Sequence, residues 1–139
     1  MEVQGYVLPD DLYYTRDHAW VRVEGDRIRV GITDVMQRLA GEISFVRVPR
    51  VGKRFEAGKT LASMQSGKWA GRIMTPMVGT VVEANTELAS KPELLNNSPY
   101  GEGWVAVLQP DDLTLGLDGL MRGADVEPWV TKELSEHGQ

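Results

Sequence analysis

Gln65-Ser66-Gly67-Lys68-Trp69-Ala70 is the stretch on which the reading of this 139-residue chain turns, because of what flanks it. Before it runs Pro49-Arg50-Val51-Gly52-Lys53-Arg54-Phe55-Glu56-Ala57-Gly58, and after it Pro76-Met77-Val78-Gly79-Thr80-Val81-Val82-Glu83-Ala84-Asn85. Pro, Val, Gly, Glu and Ala recur at matching places 27 positions apart (49 to 76). Two similar β units in tandem suggest two halves related by a pseudo-twofold axis. Position 67 lies midway between the units. Leu61-Ala62-Ser63-Met64 and Arg72-Ile73-Met74-Thr75 can form the two arms of a hairpin, with Lys68 at its exposed tip near that axis. A lysine in a hairpin turn is ordinarily a solvated charge; the repeat makes this one the apex of a symmetric unit.

Working outward, Ala19-Trp20-Val21-Arg22-Val23-Glu24 and Arg27-Ile28-Arg29-Val30-Gly31-Ile32 alternate apolar and polar residues across Gly25-Asp26, as a hairpin does. Thr33 is a good helix N-cap with Asp34 after it, and the short helix from Val35 to Ala40 is closed by Gly41. Ile43 to Val48 reads as a strand stopped by Pro49, Thr86-Glu87-Leu88-Ala89 as one helical turn, and Trp104 to Leu108 as the last strand. Trp20 and Trp104 are expected in the core. Asp111-Asp112-Leu113 can cap a helix, and Glu127 to Glu136 reads as another. The expected division is a loose N-terminal tail (1–11), a β domain (12–110) and a separate helical C-terminal extension (111–139), mainly β overall.

Composition narrows the function. Hydrophobic residues make up 42% and charged residues 25% of the chain, as in an ordinary folded domain. The net charge is −5, without the basic stripe of a nucleic-acid binder. No apolar run is long enough to cross a membrane and the N-terminus lacks signal-peptide character, so a cytoplasmic location is expected. There is no cysteine and only two histidines, His18 and His137. Disulfides, thiolate metal sites and a cysteine nucleophile are excluded, and any thiol chemistry needs an attached group to bring the sulfur. No nucleophile–base set or phosphate loop is present, so the chain is expected to be a non-catalytic subunit.

Tyr14-Thr15-Arg16-Asp17-His18-Ala19-Trp20-Val21, Val30-Gly31-Ile32-Thr33-Asp34, Gly41-Glu42-Ile43 and Asn97-Ser98-Pro99-Tyr100-Gly101-Glu102-Gly103-Trp104, together with the repeat units, resemble the glycine cleavage system H protein family in the same order. Gln65-Ser66-Gly67-Lys68-Trp69-Ala70 falls where that family has Glu-Ser-Val-Lys-Ala around its lipoyl-lysine. The resemblance implies a lipoyl-domain-like barrel-sandwich hybrid of two small sheets. It also implies lipoate in amide linkage to Lys68, flanked by Ser66, Gly67 and Trp69, attached by a lipoate ligase or lipoyl transferase. Such a lysine arm raises the local concentration of its dithiolane at partner active sites. The tip lacks the Met-Lys-Met pattern of biotin carriers.

Five positions depart from the family pattern. Ala19, Arg50 and Gln65 stand where Glu is usual, Arg72 where an acid is common, and Trp69 where Ala is usual. These changes suggest a less acidic partner-facing surface. They also resemble the divergent lipoate-binding proteins that serve a heterodisulfide-reductase-like complex, with a dihydrolipoamide dehydrogenase-like protein, in sulfur oxidation. That branch is the leading expectation. The alternative is the glycine cleavage carrier itself, passing an aminomethyl group among a decarboxylase, a folate-dependent transferase and a flavin dehydrogenase (the P, T and L proteins). An unmodified protein-interaction module is the third. Trp69 is expected either to cover the arm or dock to a partner, or to pack back onto Met74 or Met77. His18 is expected to make a structural hydrogen bond or to act with the arm.

Overall fold

A computed structural model describes residues 1–136; His137 and the last two residues of the expected C-terminal extension lie outside the described residues. In chain order the elements begin with β1 (Glu2–Val3), β2 (Tyr6–Val7), β3 (Tyr13–Tyr14), β4 (Ala19–Glu24), β5 (Arg27–Ile32), α1 (Asp34–Ala40) and β6 (Ile43–Arg47). Then come β7 (Arg54–Phe55), β8 (Thr60–Ser66), β9 (Ala70–Met74), β10 (Gly79–Ala84) and a 3-10 turn at Thr86–Ala89. They end with α2 (Leu94–Asn97), β11 (Ala106–Pro110), α3 (Leu113–Asp118) and α4 (Val126–Glu136).

Two sheets face each other. One has six strands in the order β3-β4-β5-β11-β10-β7, the other three in the order β6-β8-β9. The β4–β5 hairpin forms as its alternation demands, with Gly25 in the left-handed region at φ 68°. The inward residues of both sheets make one core: Val21, Ile28 and Val30 from one side, Met64 and Ile73 from the other, all essentially buried. This is the barrel-sandwich expected from the resemblance.

The two repeat units do lie against each other. Arg54 pairs with Thr80 and Phe55 with Gly79, antiparallel, and Gly52 donates to the Val81 carbonyl at 2.8 Å. Antiparallel pairing of equivalent segments is what exchange about a twofold axis requires. The chain between them has one economical route, the β8–β9 hairpin.

A second core differs from expectation. Residues 2–7, read from sequence as part of a loose tail, pair as the hairpin β1–β2. Nor is the C-terminal helix apart from the β domain: Trp129, Val130 and Leu134 of α4 pack with Val3, Leu8, Leu12, Tyr14, Trp20 and Val35. Met121 exchanges backbone hydrogen bonds with Tyr14 and so ties the α3–α4 connection to the sheet edge. The apolar positions of each segment are too few to signal a core alone. Together, buried on the outer side of the six-stranded sheet, they remove a large apolar surface from water. Trp20 is fully buried; Trp104 is only partly so, and lies just before β11 under the Arg29 guanidinium, 4.6 Å from the ring centre.

Candidate functional site

Lys68 stands where the repeat places it. β8 and β9 pair from Thr60 opposite Met74 up to Gln65 opposite Ala70, and the Ser66 amide closes the turn on the Trp69 carbonyl at 2.7 Å. Gly67 and Lys68 form the two-residue tip. The Lys68 amide faces the Ser66 hydroxyl at 3.4 Å. Gly67 does not adopt a left-handed conformation, and a Cβ on it would meet nothing within 4 Å. Its lack of a side chain is therefore not demanded by the turn and leaves open space beside the lysine.

The Lys68 side chain is exposed and makes no ion pair among the described residues. Its aliphatic stem runs over Gly41, in a shallow groove bordered by Ala40, Glu42, Ser44 and Ser66. A Cβ on Gly41 would sit 2.9 Å from the Lys68 Cε and 3.5 Å from its Nζ. Gly41 is there for a second reason. It terminates α1 at φ 79°, its amide bonding back to the Gln37 carbonyl at 3.1 Å, and only glycine takes this conformation without strain. One residue thus ends the helix and leaves the channel for the lysine. At the other end of α1, Thr33 accepts from the Met36 amide, the cap read from sequence.

Asn96 fixes the floor of this groove, and no motif pointed to it. Its amide nitrogen donates to the Gly41 carbonyl at 2.7 Å and the Gln37 Oε1 at 3.0 Å, while its Oδ1 accepts from the Ile43 amide at 2.9 Å. The end of α1 and the start of β6 are thereby clamped to α2. Asn96 lies one residue before the Asn97-to-Trp104 motif, and partners more than fifty residues away in sequence leave no local signal.

Trp69 is half-buried and folds back over Gly71. A Cβ on Gly71 would fall 2.2 Å from the indole, so the ring occupies that glycine's missing side chain and packs on the edge of the core. Of the positions read as a less acidic surface, Arg50, Gln65 and Arg72 are exposed. Ala19 is not: it is fully buried opposite Ile32, so a glutamate there would face the core. His18 belongs to the second core. Its Nδ1 lies 3.1 Å from the Thr33 hydroxyl and its ring stacks on Trp129 with centroids 4.6 Å apart. Asp34 does more than start a helix, since its carboxylate also accepts from the Val7 amide at 2.9 Å and fastens the N-terminal hairpin.

The glycine cleavage H-protein family model matches residues 12–133. The chain belongs to that family. It is 44% identical over 126 residues to glycine cleavage system H protein 2 of Aquifex aeolicus, covering 89% of this chain and 78% of that one. It is 39% identical over 129 residues to the H protein of Herpetosiphon aurantiacus, covering 93% and 98%. The crystal structure of an H protein from Mycobacterium marinum matches with a TM-score of 0.76 at 30% identity, covering 95% of this chain and all of the other. H proteins are non-catalytic carriers bearing lipoate covalently on a lysine. The tip fits such a group: a solvent-facing amine, a stem channelled by the missing Gly41 Cβ, and no carboxylate among the described residues pairing to hold it down. No helix among the described residues is long and apolar enough to cross a membrane.

Proposed function

We propose that Lys68 is the lipoyl attachment site and that the chain is the carrier of a glycine cleavage system, passing an aminomethyl group among the decarboxylase, the folate-dependent transferase and the flavin dehydrogenase. The observation that carries this reading is the exposed Lys68 amine, without an ion-pair partner among the described residues, at the apex of the β8–β9 hairpin over Gly41. The attached group supplies the dithiolane, whose sulfurs take up and release the carried fragment or an electron pair. The chain's own residues do the rest. The hairpin presents the amine to a ligase and the arm to partners, Gly41 and Asn96 shape the groove, and the absence of cysteine keeps protein thiols out of the exchange. The tether raises the effective concentration of its cargo at each partner.

Of the two pathways expected from sequence, glycine cleavage is the better supported, because the similar proteins are H proteins by name. It replaces sulfur oxidation as the leading reading. Exposed Arg50, Gln65 and Arg72 still favour sulfur oxidation as the second. The experiment is ligation of lipoate by a purified lipoate ligase with ATP, followed by intact mass and peptide mapping, with Lys68→Arg alongside. One lipoyl increment on the Lys68 peptide, absent from the variant, is expected. An unmodified lysine, or modification elsewhere, overturns the site and promotes the interaction-module reading. Turnover of the loaded chain with P, T and L proteins then separates the pathways, and full activity removes the motive for the sulfur branch.

A further inference from the structure

The outer face of the three-stranded sheet is unusual for a chain of net charge −5. Register places its outward residues in two rows across β6, β8 and β9. Nearest the tip, Phe45 lies opposite Gln65, and Gln65 opposite Ala70. One step further from the tip, Arg47 lies opposite Ser63, and Ser63 opposite Arg72. With strands about 4.8 Å apart, the two arginines flank Ser63 at roughly 10 Å from each other. Both are exposed, and neither has a hydrogen-bond or ion-pair partner among the described residues. Beyond this row the face continues into a groove that Arg47, Arg50 and Lys53 border without any carboxylate. Phe45 is 49% exposed, one of the few large apolar side chains left in water.

Several cations elsewhere are engaged, Arg29 with Glu24, Arg38 with Asp34, Arg54 with Glu56 and Asp111, Lys132 with Glu136, whereas Arg16, Lys59 and Lys91 stand singly with no aromatic ring among the exposed apolar side chains beside them in sequence. An unpaired pair of arginines beside an exposed aromatic ring, adjoining the tip that holds Lys68, is the composition of a protein interface: an apolar anchor with charges that set orientation and encounter rate. We infer that this face is a docking surface for an enzyme that uses the arm. That enzyme presents carboxylates to Arg47 and Arg72 and an apolar recess to Phe45. Docking here leaves Lys68 at the edge of the contact, free to reach into the partner's active site. The complementary charge on this chain is positive although the whole is acidic, so the face orients the carrier against an acidic rim instead of merely attracting it.

The proposal rests on the carrier reading for the identity of the partner. The test uses the full chain loaded with lipoate and measures KM and kcat for it with purified P, T and L proteins, at low salt and at high salt. Three variants are compared: Arg47→Glu with Arg72→Glu, Phe45→Ser, and as a matched-charge control Arg16→Glu with Lys132→Glu at the α4 side. With at least one partner, the face variants are expected to raise KM about tenfold at low salt with kcat little changed, and the arginine effect to shrink at high salt by screening. The control is expected to stay within about twofold of the unaltered chain, because Arg16 and Lys132 lie outside the docking face. Lipoylation of Lys68 and circular dichroism report separately that each variant is folded. Unchanged KM in the folded face variants with all three partners, or an equal rise in the control, overturns the proposal alone. If the loaded unaltered chain is turned over by none of the three, the glycine cleavage reading and the proposal fall together.

Discussion

The two ends of this molecule are built on opposite terms. Around Trp20, α4 and the N-terminal hairpin seal the outer side of the six-stranded sheet. Trp20 lies fully buried opposite Gly31, whose missing side chain the indole fills, and donates through Nε1 to the Pro99 carbonyl at 2.8 Å. The buried Tyr14 hydroxyl donates to the Pro9 carbonyl at 2.6 Å. The price of sealing shows at Trp129, whose buried indole N–H has no acceptor among the described residues. At the other end, Lys68 and the face of Phe45, Arg47 and Arg72 remain in water with little to hold them. Stability is concentrated where no partner needs to reach, so the tip can change its surface without weakening the fold. Gln65 and Arg72 stand beside the arm on exposed positions of this kind, whereas Ala19 is fully buried.

The largest effect that would break this contrast is at Trp20. Trp20→Ala should lower stability by about 3–5 kcal/mol in urea denaturation, while the protein that remains folded still accepts lipoate on Lys68. A loss near zero would mean that the second core contributes little. Alkaline pH sharpens the same point. Burial pushes the Tyr14 hydroxyl far above its ordinary value near 10, and it raises Tyr100 in the same direction. A group whose folded pKa is raised stabilises fully below its unfolded pKa and loses that contribution as pH rises toward the folded one. Stability should therefore fall above pH 10 by about 1.4 kcal/mol per pH unit from Tyr14 alone. Denaturation midpoints across that range, with Tyr14→Phe as comparison, check it; a flat profile would show Tyr14 ionising freely.

At the tip, the expected effects are smaller in stability and larger in function. Gly41→Ala forces a side chain into the left-handed region and into the Lys68 channel, at a cost of about 1 kcal/mol. The lysine stem has to move, so ligation of lipoate should slow more than the melting temperature falls. Ligation at the unaltered rate would remove Gly41 from the site. The smallest effect lies at the exposed turn end of the β4–β5 hairpin. Bonding from Arg29 holds the Glu24 carboxyl below its ordinary value near 4.5. Such a depressed carboxylate stabilises at neutral pH and loses its contribution as pH falls through that lowered range. With a side chain 36% exposed and screened by solvent, Glu24→Gln should cost only a few tenths of a kcal/mol at pH 7, and nothing once the carboxyl is protonated. A larger loss would mean that the hairpin pair is not an ordinary surface one.

The parts legible in the sequence were those carried by short-range signals. Alternation announced the β4–β5 hairpin, Thr33 and Gly41 bounded α1 to within a residue, and Asp112 capped α3 through the Leu115 amide. The second core was not legible, because Val3, Leu8, Tyr14 and Trp129 look unremarkable until the termini meet. Asn96 was missed for the same reason; the Trp69 ring lies over Gly71, only two residues on in β9, a local contact that no periodicity singles out.

What the amino-acid order determined by itself was the repeat, and with it the place of Lys68. Equivalent segments 27 positions apart can pair antiparallel about an axis only if the intervening chain turns back midway, and that geometry is written in spacing. The tertiary structure alone decided which side chains surround that lysine. Gly41 yields its missing Cβ, Asn96 clamps the floor from α2, and Arg47 and Arg72 come to flank Ser63. These neighbours are set by register and packing between distant strands, where a single shift would turn each side chain to the opposite face.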